Sequence, residues 1–214
     1  MKQIGFVGSI DGADLTLYLA RLLSFAGKKV VLIDYTKRHL FIKTANVPDV
    51  LFGKGSFYKE ILVASADAAF SEEEILQYEY VFNYFGAAVN HPQIAKCSEV
   101  IFMSDMALYN AELLSGVNCS AETKKRCIIR NAIDVKYKTM FLVDTMKQGF
   151  DKSDVVVIPY NEQDCRCHYY LCIDAKHKLK IKELSPAMQD VLLGILAEWE
   201  NIDDKSLKKI AKNA

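Results

Sequence analysis

The sequence has no excess of charge of either sign, no long apolar run, no disulfide framework and no linker rich in Pro, Gly or Ser. The 27 basic and 27 acidic side chains cancel, so no overall field attracts nucleic acid or an anionic membrane. No apolar stretch approaches the roughly 18 residues that cross a bilayer. The six cysteines are scattered through apolar segments, and the first residues resemble a strand rather than a signal peptide. We therefore expect a cytoplasmic protein without a transmembrane segment.

Apolar runs typical of buried strands alternate with segments of helical spacing along the chain. The predicted strands are residues 4–8, 30–34, 80–85, 99–104, 126–133, 155–160 and 168–175. The predicted helices are residues 14–26, roughly 57–77, 105–116, 138–149 and 185–200. Near-continuous apolar strands separated by helices favour a three-layer α/β fold, a mostly parallel twisted sheet covered by helices on both faces. We predict one domain over residues 1–200 and a basic helical tail over residues 201–214.

The first predicted strand runs into a turn with the layout of a phosphate-binding loop. IGFVG is followed by a turn containing Gly and Asp and then by the amphipathic helix LTLYLARLLSFAG. In such loops, backbone N–H groups at a helix N-terminus hold phosphates, a Lys contacts them, and a Ser or Thr holds Mg²⁺. The corresponding positions here hold Gly12, Ala13 and Asp14, and no Lys or Arg lies between Lys2 and Arg21. The scaffold of a nucleotide site is present without its main functional side chains.

Six segments in order resemble the ParA/MinD family of deviant-Walker P-loop ATPases, which partition plasmids or position cell machinery. The segment LYLARLLSFAGKKVVLIDYT is similar to the family's Leu- and Ala-rich helix, Ala-Gly-Lys turn and strand ending in Ile-Asp. Five further segments of this chain resemble the family's later strands and its closing helix. They are YEYVFNYFG, CSEVIFMSDMALYNAELL, CIIRNAID, VVVIPYNEQD and LSPAMQDVLLGILAEW. The resemblance covers nearly the whole chain and implies the fold of that family.

The departures from the family pattern fall on the residues that carry its chemistry. The family's Gly-Gly-x-Gly-Lys-Thr-Thr loop corresponds to Gly8, Ser9, Ile10, Asp11, Gly12, Ala13 and Asp14. In this correspondence Gly12 occupies the position of the family's phosphate-binding Lys, and Ala13 occupies that of its Mg²⁺-binding Thr. The family's second Lys, which reaches a partner's nucleotide, has no counterpart at Val7 or Gly8. The Walker B Asp corresponds to Tyr84.

Three acidic residues near the loop each have two interpretations. Asp11 and Asp14 stand where a triphosphate would lie, so they repel a nucleotide and can cap the N–H groups of the helix. We therefore expect a loop closed by its own side chains, with residual nucleotide binding as the alternative. Asp34 matches the acidic position that helps to activate water in the family, and a turn or cap residue is the alternative there.

The resemblance also places two residues of later strands, Asn131 and Pro159, on the adenine side of the site. Aromatic residues alternate at Tyr80, Phe82 and Tyr84, which is typical of packing against helices. A surface that binds a partner in place of the nucleotide is the alternative for this strand.

The only metal-like cluster in the sequence is CRCH at residues 165–168, followed by Cys172 and His177. Its spacing is not the paired C-x₂-C pattern of zinc sites, so we predict no metal. In a strand Cys165 and Cys167 share one face, where they can be buried as small hydrophobic residues. No base for a nucleophilic cysteine is identifiable from the sequence.

Without the Lys, the Thr and the Walker B Asp, nothing in the sequence supplies charge to a phosphoryl-transfer transition state. We therefore predict a non-catalytic pseudo-ATPase without a cofactor, acting as a protein-binding, positioning or assembly factor in partitioning, pilus or secretion machinery. Its partner is another protein or a second copy, including a heterodimer with an active relative. The alternative is a switch that binds ATP and Mg²⁺ weakly through the backbone and Lys37 or Lys54, with little or no hydrolysis.

Overall fold

The computed structural model, which describes residues 1–44, 55–68, 72–134, 139–173 and 180–214, contains a single mostly parallel sheet. Its strands within these ranges are β1 Lys2–Gly8, β2 Val30–Asp34, β3 Ser56–Tyr58, β4 Ile61–Ser65, β5 Tyr80–Gly86, β6 Glu99–Ser104, β7 Lys124–Ala132 and β8 Val155–Pro159. They are ordered β3-β4-β2-β5-β1-β6-β7-β8 across the sheet. Every pairing is parallel except the antiparallel pairing of β3 with β4.

Helices cover both faces of this sheet. They are α1 Ala13–Phe25, α2 Leu40–Thr44, α3 Glu72–Leu76, α4 Leu108–Leu114, α5 Thr139–Thr145, α6 Glu162–Ile173, α7 Pro186–Glu200 and α8 Asp204–Asn213. Buried side chains of α1, α6, α7 and α8 form one core cluster with the sheet, and those of α4 and α5 form another on the opposite face. The chain therefore has the predicted three-layer α/β fold.

The strands β5 and β6 are buried along their whole length, which explains their near-continuous apolar sequence. All seven residues of β5 and all six of β6 are buried. Tyr80, Phe82 and Tyr84 belong to the larger core cluster, so the alternating aromatic residues of β5 pack against helices as predicted. Six predicted strands and the helices at the start and end of the domain are confirmed, the last with Ser185 accepting a hydrogen bond from the Met188 amide as N-cap.

The helix predicted over residues 57–77 is wrong. The described residues of this range form the hairpin of β3 and β4, and among them only α3 is helical. Lys59 has a positive φ of 56° in the turn of the hairpin. All five residues of β4 are buried beside β2, so Ile61 and Val63 serve as strand residues covered on both faces.

The strand predicted over residues 168–175 is also wrong, because its first six residues belong to α6. The Asn161 side chain accepts a hydrogen bond from the Gln163 amide at 2.9 Å, as an N-cap does. Cys167 and Leu171, four residues apart, are the positions of α6 that enter the core. Residues 174 and 175 lie outside the described ranges.

The C-terminal residues form α8, which begins after the capping side chain of Asp203. Leu207 of α8 is buried in the core cluster that also contains α1 and α7. None of the described helices is long and apolar enough to cross a membrane.

The parallel arrangement brings the carboxyl ends of β1, β2, β5, β6 and β7 to one edge of the sheet. Gly8 of β1 pairs with Met103 of β6. Tyr84 of β5 pairs with Phe6 of β1 on one side and with Asp34 of β2 on the other. Ligands of open α/β sheets bind at this edge. The loop of residues 8–14, which joins β1 to α1, therefore occupies the expected position of a ligand site.

Candidate functional site

The 8–14 loop is closed by hydrogen bonds from within the chain. The Gly12 amide donates to Tyr84 Oη at 3.3 Å, and the Tyr84 hydroxyl donates to Asp11 Oδ1 at 3.2 Å. The amide of Ala13, the first residue of α1, also donates to Asp11 Oδ1, at 2.9 Å. Two of the N–H groups that a helix N-terminus offers to an anion are thus already used.

Tyr84, the residue at the Walker B position, lies directly against this loop. Its side chain is fully buried in β5. Burial and the Asp11 carboxylate raise the pKa of Tyr84 well above its ordinary value, so its hydroxyl stays protonated. A neutral phenol that donates to Asp11 therefore takes the place that a Mg²⁺-binding carboxylate holds in the resembled family.

Asp14 forms a buried ion pair with Arg130 of β7. Asp14 is 1% exposed and Arg130 is 7% exposed. The guanidinium donates to the carboxylate at both ends, with Nη1–Oδ1 at 2.6 Å and Nη2–Oδ2 at 2.8 Å. Nη1 also donates to the Asp11 carbonyl at 3.2 Å, which fixes the loop to β7.

This ion pair corrects the expected role of Asp14. Burial alone raises the pKa of a carboxyl, but the Arg130 guanidinium reverses that effect and holds the pKa of Asp14 well below its usual range. The Asp14 carboxylate is therefore ionised and neutralised by a partner, and it does not act as an uncompensated charge that repels a phosphate. It also accepts a hydrogen bond from the Leu15 amide at 2.7 Å, in keeping with the expected capping role.

Sequence reasoning missed Arg130, although the sequence contained a signal for it. Arg130 lies in the apolar run CIIRNAI, in a strand buried on both faces. A cation in that environment requires a carboxylate partner, because an unpaired buried charge is very costly. That partner is Asp14, one of the acidic residues at the carboxyl edge of the sheet.

Met103 fills the space next to Gly12. A Cβ atom at position 12 would lie 2.1 Å from Met103 Sδ and 2.5 Å from Met103 Cε. Both distances are far inside van der Waals contact, so no side chain fits at position 12 unless Met103 moves. The missing Lys therefore reflects a filled site as well as a missing charge.

Asp34 at the end of β2 is buried and makes only local contacts among those described. Its Oδ1 accepts hydrogen bonds from the Thr36 amide at 2.8 Å and the Thr36 hydroxyl at 2.7 Å. Its Oδ2 accepts one from the Ile42 amide of α2 at 3.1 Å. These contacts favour the interpretation of Asp34 as a turn and cap residue.

A cleft of about 220 Å³ lies beside the loop and brings several predicted residues together. Its lining includes Ile10 and Asp11 of the loop with Asn131 and Pro159, the two residues predicted on the adenine side. Asn131 adopts a positive φ of 55° at the end of β7. The opposite wall belongs to α6. Lys37 is exposed and does not line the cleft, and Lys54 lies outside the described residues.

Helix α6 brings His168 to the loop. His168 Nδ1 lies 3.4 Å from Asp14 Oδ2, and its Nε2 lies 3.9 Å from Asp11 Oδ2. The Asp14 carboxylate raises the pKa of His168 in spite of the opposing effect of burial. This contact had no sequence signal, because residues 168–175 were expected to form a strand.

The cysteines near His168 do not share one face as a strand would have required. Cys167 is buried in the core, Cys165 is half-buried at the cleft, and Cys172 is exposed. No group of three or more His, Cys, Asp or Glu residues suited to a metal occurs in the described part of the chain. The burial of Cys167 agrees with its predicted role as a small hydrophobic residue.

ATP and Mg²⁺ require free amide donors, cations and space at this loop. The two cations that contact the loop among the described residues, Arg130 and His168, both face Asp14. The Gly12 and Ala13 amides are engaged, and Met103 fills the space at position 12. The residues present do not fit a bound triphosphate with its metal.

Comparison with known proteins supports the fold at low sequence identity. No family model and no curated protein matches the chain. The MinD cell division protein of Aquifex aeolicus is 13% identical with a TM-score of 0.63, covering 92% of this chain and 98% of its own. The matching chain of a MinC:MinD cell division complex from the same organism is 13% identical with a TM-score of 0.59. The match covers 92% of this chain and 96% of the other.

Two partition proteins are also similar in structure. A plasmid partition protein of Borrelia burgdorferi B31 bound to AMPPNP is 12% identical with a TM-score of 0.59, covering 93% of this chain and 100% of its own. The pNOB8 ParA bound to nonspecific DNA is 12% identical with a TM-score of 0.53. The match covers 95% of this chain and 100% of the other. The chain thus has the fold of MinD and ParA P-loop ATPases over most of its length.

Proposed function

We propose that this protein is a non-catalytic relative of the ParA/MinD ATPases that acts by binding another protein, as a positioning or assembly factor. The observation that carries this proposal is the closed 8–14 loop. The Gly12 amide donates to Tyr84, the Ala13 amide donates to Asp11, and the buried Asp14 is held by Arg130. A phosphoryl-transfer site needs free donors and cations at that position, and here they are engaged elsewhere.

The partner in this proposal is a protein, either another chain or a second copy. The MinC:MinD complex provides a precedent in which a protein of this fold is bound to another protein. A dimer of this chain, or a heterodimer with an active relative, would form without nucleotide, because the loop amides that would hold its phosphates are engaged within the chain. Partitioning, pilus and secretion machineries are the processes in which we place it.

The test is isothermal titration calorimetry of ATP and Mg²⁺ into the purified protein, together with its melting temperature. We expect no heat of binding and no rise in melting temperature at millimolar nucleotide. The Borrelia partition protein whose structure holds AMPPNP serves as the positive control, titrated with AMPPNP under the same conditions. Saturable binding in the micromolar range would overturn the proposal.

One observation favours a second candidate, a weak nucleotide-binding switch without hydrolysis. The cleft beside the loop contains Asn131 and Pro159, so space remains where the base of a nucleotide would lie. In this alternative the same titration shows weak heat, and Asn131→Ala reduces it. A heat that Asn131→Ala leaves unchanged would argue against this binding mode.

A further inference from the structure

Three side chains, those of Cys172, His168 and Asp14, lie next to one another beside the closed loop. Cys172 and His168 are four residues apart on α6 and therefore face the same side. Cys172 Sγ lies 3.8 Å from His168 Nε2, and His168 Nδ1 lies 3.4 Å from Asp14 Oδ2. His168 Nδ1 makes no hydrogen bond among the described residues, so Asp14 acts on the ring through its charge. A thiol beside an imidazole whose positive charge is favoured by a carboxylate is an arrangement that activates a cysteine.

The far end of this arrangement is rigid. Arg130 holds both oxygens of Asp14, and both residues are buried. The position of the carboxylate beside His168 is therefore fixed by β7, independently of α6. The Asp14 carboxylate raises the pKa of His168 and so increases the imidazolium fraction of the ring, and a neighbouring imidazolium stabilises a thiolate.

The other charges near His168 act on the same ring. Asp11 Oδ2 lies 3.9 Å from Nε2, so it also favours the imidazolium but competes with Cys172 for that nitrogen. Arg130 opposes protonation of the ring, and Asp14 outweighs it. The net effect of the three charged groups on His168 is the raised pKa.

Cys172 differs from the other cysteines of the chain in its surroundings. It is exposed, whereas Cys97 and Cys127 are buried, and burial raises the pKa of each of these two thiols to about 12. Burial likewise raises the pKa of Cys119 and Cys167. The chain thus contains its own set of unreactive thiols for comparison.

A separate observation indicates that a small molecule has room next to His168. His168 and Arg130 line the same cleft of about 220 Å³. The Arg130 Nε is buried and has no hydrogen-bond partner among the described residues. The cleft therefore offers space next to His168, whereas Arg130 Nε lies buried beneath the surface.

We propose that Cys172 is a reactive thiol, activated by His168 and Asp14, that undergoes exchange with small-molecule disulfides. In this step Cys172 loses its proton to solvent, and the thiolate, stabilised by the His168 imidazolium, attacks one sulfur of the disulfide. The disulfide S–S bond breaks and a mixed disulfide forms on Cys172. The second sulfur leaves as a thiolate and takes up a proton from solvent. One disulfide and one thiol thus give one mixed disulfide and one small thiol, and no other oxidant is needed.

This proposal is independent of nucleotide binding, and its test uses the reduced full chain. Each cysteine is followed by mass spectrometry of its peptide during reaction with iodoacetamide over a range of pH, and then with glutathione disulfide at pH 7. We expect Cys172 to react first, with a pH midpoint below the value of about 8.5 typical of a free thiol. His168→Gln should slow the reaction of Cys172 at pH 7 by about threefold or more. The unmodified chain has the larger thiolate fraction at Cys172, and the lower nucleophilicity of a low-pKa thiolate offsets this advantage only in part.

The matched control is Arg166→Gln, which removes an exposed cation from the same helix and should leave the Cys172 rate unchanged. Cys172→Ser should abolish the glutathione adduct at this position. A midpoint at or above about 8.5, or an equal rate in His168→Gln, would overturn the proposal. If His168→Gln does not fold, as judged by circular dichroism, the pH midpoint of Cys172 in the unmodified sequence and its rate relative to Cys119 decide the outcome.

Discussion

The two ends of the sheet use the same pair of side-chain types for different purposes. β5 carries Tyr80 at its amino end and Tyr84 near its carboxyl end, and β7 carries Arg126 and Arg130 four residues apart. All four side chains contact carboxylates. At the amino end the Tyr80 hydroxyl donates to Glu200 of α7.

The carboxylates come from different places at the two ends. Arg126 donates to Glu99 at 3.3 Å and to Glu198 of α7 at 2.7 Å, so this end fastens a helix to the sheet. At the carboxyl end the carboxylates belong to the 8–14 loop itself, and Asp14 is far more buried than the 45% exposed side chain of Glu198. The same chemistry that docks a helix at one edge closes a ligand loop at the other.

The largest expected difference between the two ends is in their ion pairs. Asp14→Ala leaves Arg130 buried and unpaired, which we expect to lower the free energy of unfolding by about 3–5 kcal/mol. Glu198→Gln removes a solvent-screened partner and should cost about 0–1 kcal/mol. Urea denaturation measures both. A loss of only about 1 kcal/mol in Asp14→Ala, the value of a helix cap, would show that the ion pair adds little.

A double variant controls for this prediction. Asp14→Leu with Arg130→Met removes both charges from the interior, so it should recover much of the stability that Asp14→Ala loses. A double variant no more stable than Asp14→Ala would show that packing rather than the unpaired charge sets the cost.

The second prediction concerns the space at position 12. Gly12→Lys should lower stability by about 1–3 kcal/mol, because its Cβ meets Met103. Adding Met103→Ala should remove part of this cost. Gly12→Lys with Ala13→Thr, the nominal restoration of the Walker A loop, should still bind no ATP in calorimetry while Tyr84 remains. Nucleotide binding by that double variant would show that the site had lost only its two side chains.

The third prediction compares the two tyrosines of β5. Tyr84→Phe removes the acceptor of the buried Gly12 amide and should cost about 1–2 kcal/mol. Tyr80→Phe breaks the contact with Glu200 near the surface and should cost about 0.5–1 kcal/mol. Equal midpoints of urea unfolding for the two variants would contradict the idea that the loop end is the more tightly closed.

The smallest expected effect is a dependence of stability on pH through His168. The pKa of His168 is higher in the folded chain than the ordinary value of about 6.5. Protonation of His168 therefore stabilises the fold fully below about pH 6.5, and this stabilisation disappears as pH rises through the pKa of the folded state. We expect a loss on the order of 0.5–1 kcal/mol towards alkaline pH, the range of a partly exposed ion pair. His168→Gln should abolish this loss in thermal unfolding at a series of pH values. Burial lowers the pKa of His91, which makes stability rise with pH, and this effect is the same in the unmodified chain and in His168→Gln.

The sequence predicted those features that depend on local pattern. Near-continuous apolar runs identified β1, β2, β5, β6, β7 and β8, and the position of the loop followed from its place between β1 and α1. The apolar run of β4 was assigned to a helix because helical spacing and a fully buried strand look alike in a short segment. Helix α6 was missed because its aromatic residues, Tyr169 and Tyr170, are typical of strands although both are exposed.

The partners of the loop could not be predicted from the sequence. Met103, Arg130 and His168 come from elements far along the chain, and their contacts depend on the order and register of strands and on the docking of α6. An apolar pattern shows that a strand is buried, but it does not show which strand lies next to it. Capping by Asp11 could be inferred locally, whereas the neutralisation of Asp14 required the three-dimensional arrangement.

The most direct test of the closed loop is the ¹H–¹⁵N spectrum of the protein during addition of ATP and Mg²⁺. The Gly12 and Ala13 amides report on the loop, since they are the groups that a bound phosphate would engage. We predict that both signals stay in place up to millimolar nucleotide, because Tyr84 and Asp11 retain their hydrogen bonds. Saturable shifts of these two amides would contradict a closed loop and identify the site as one that still binds nucleotide.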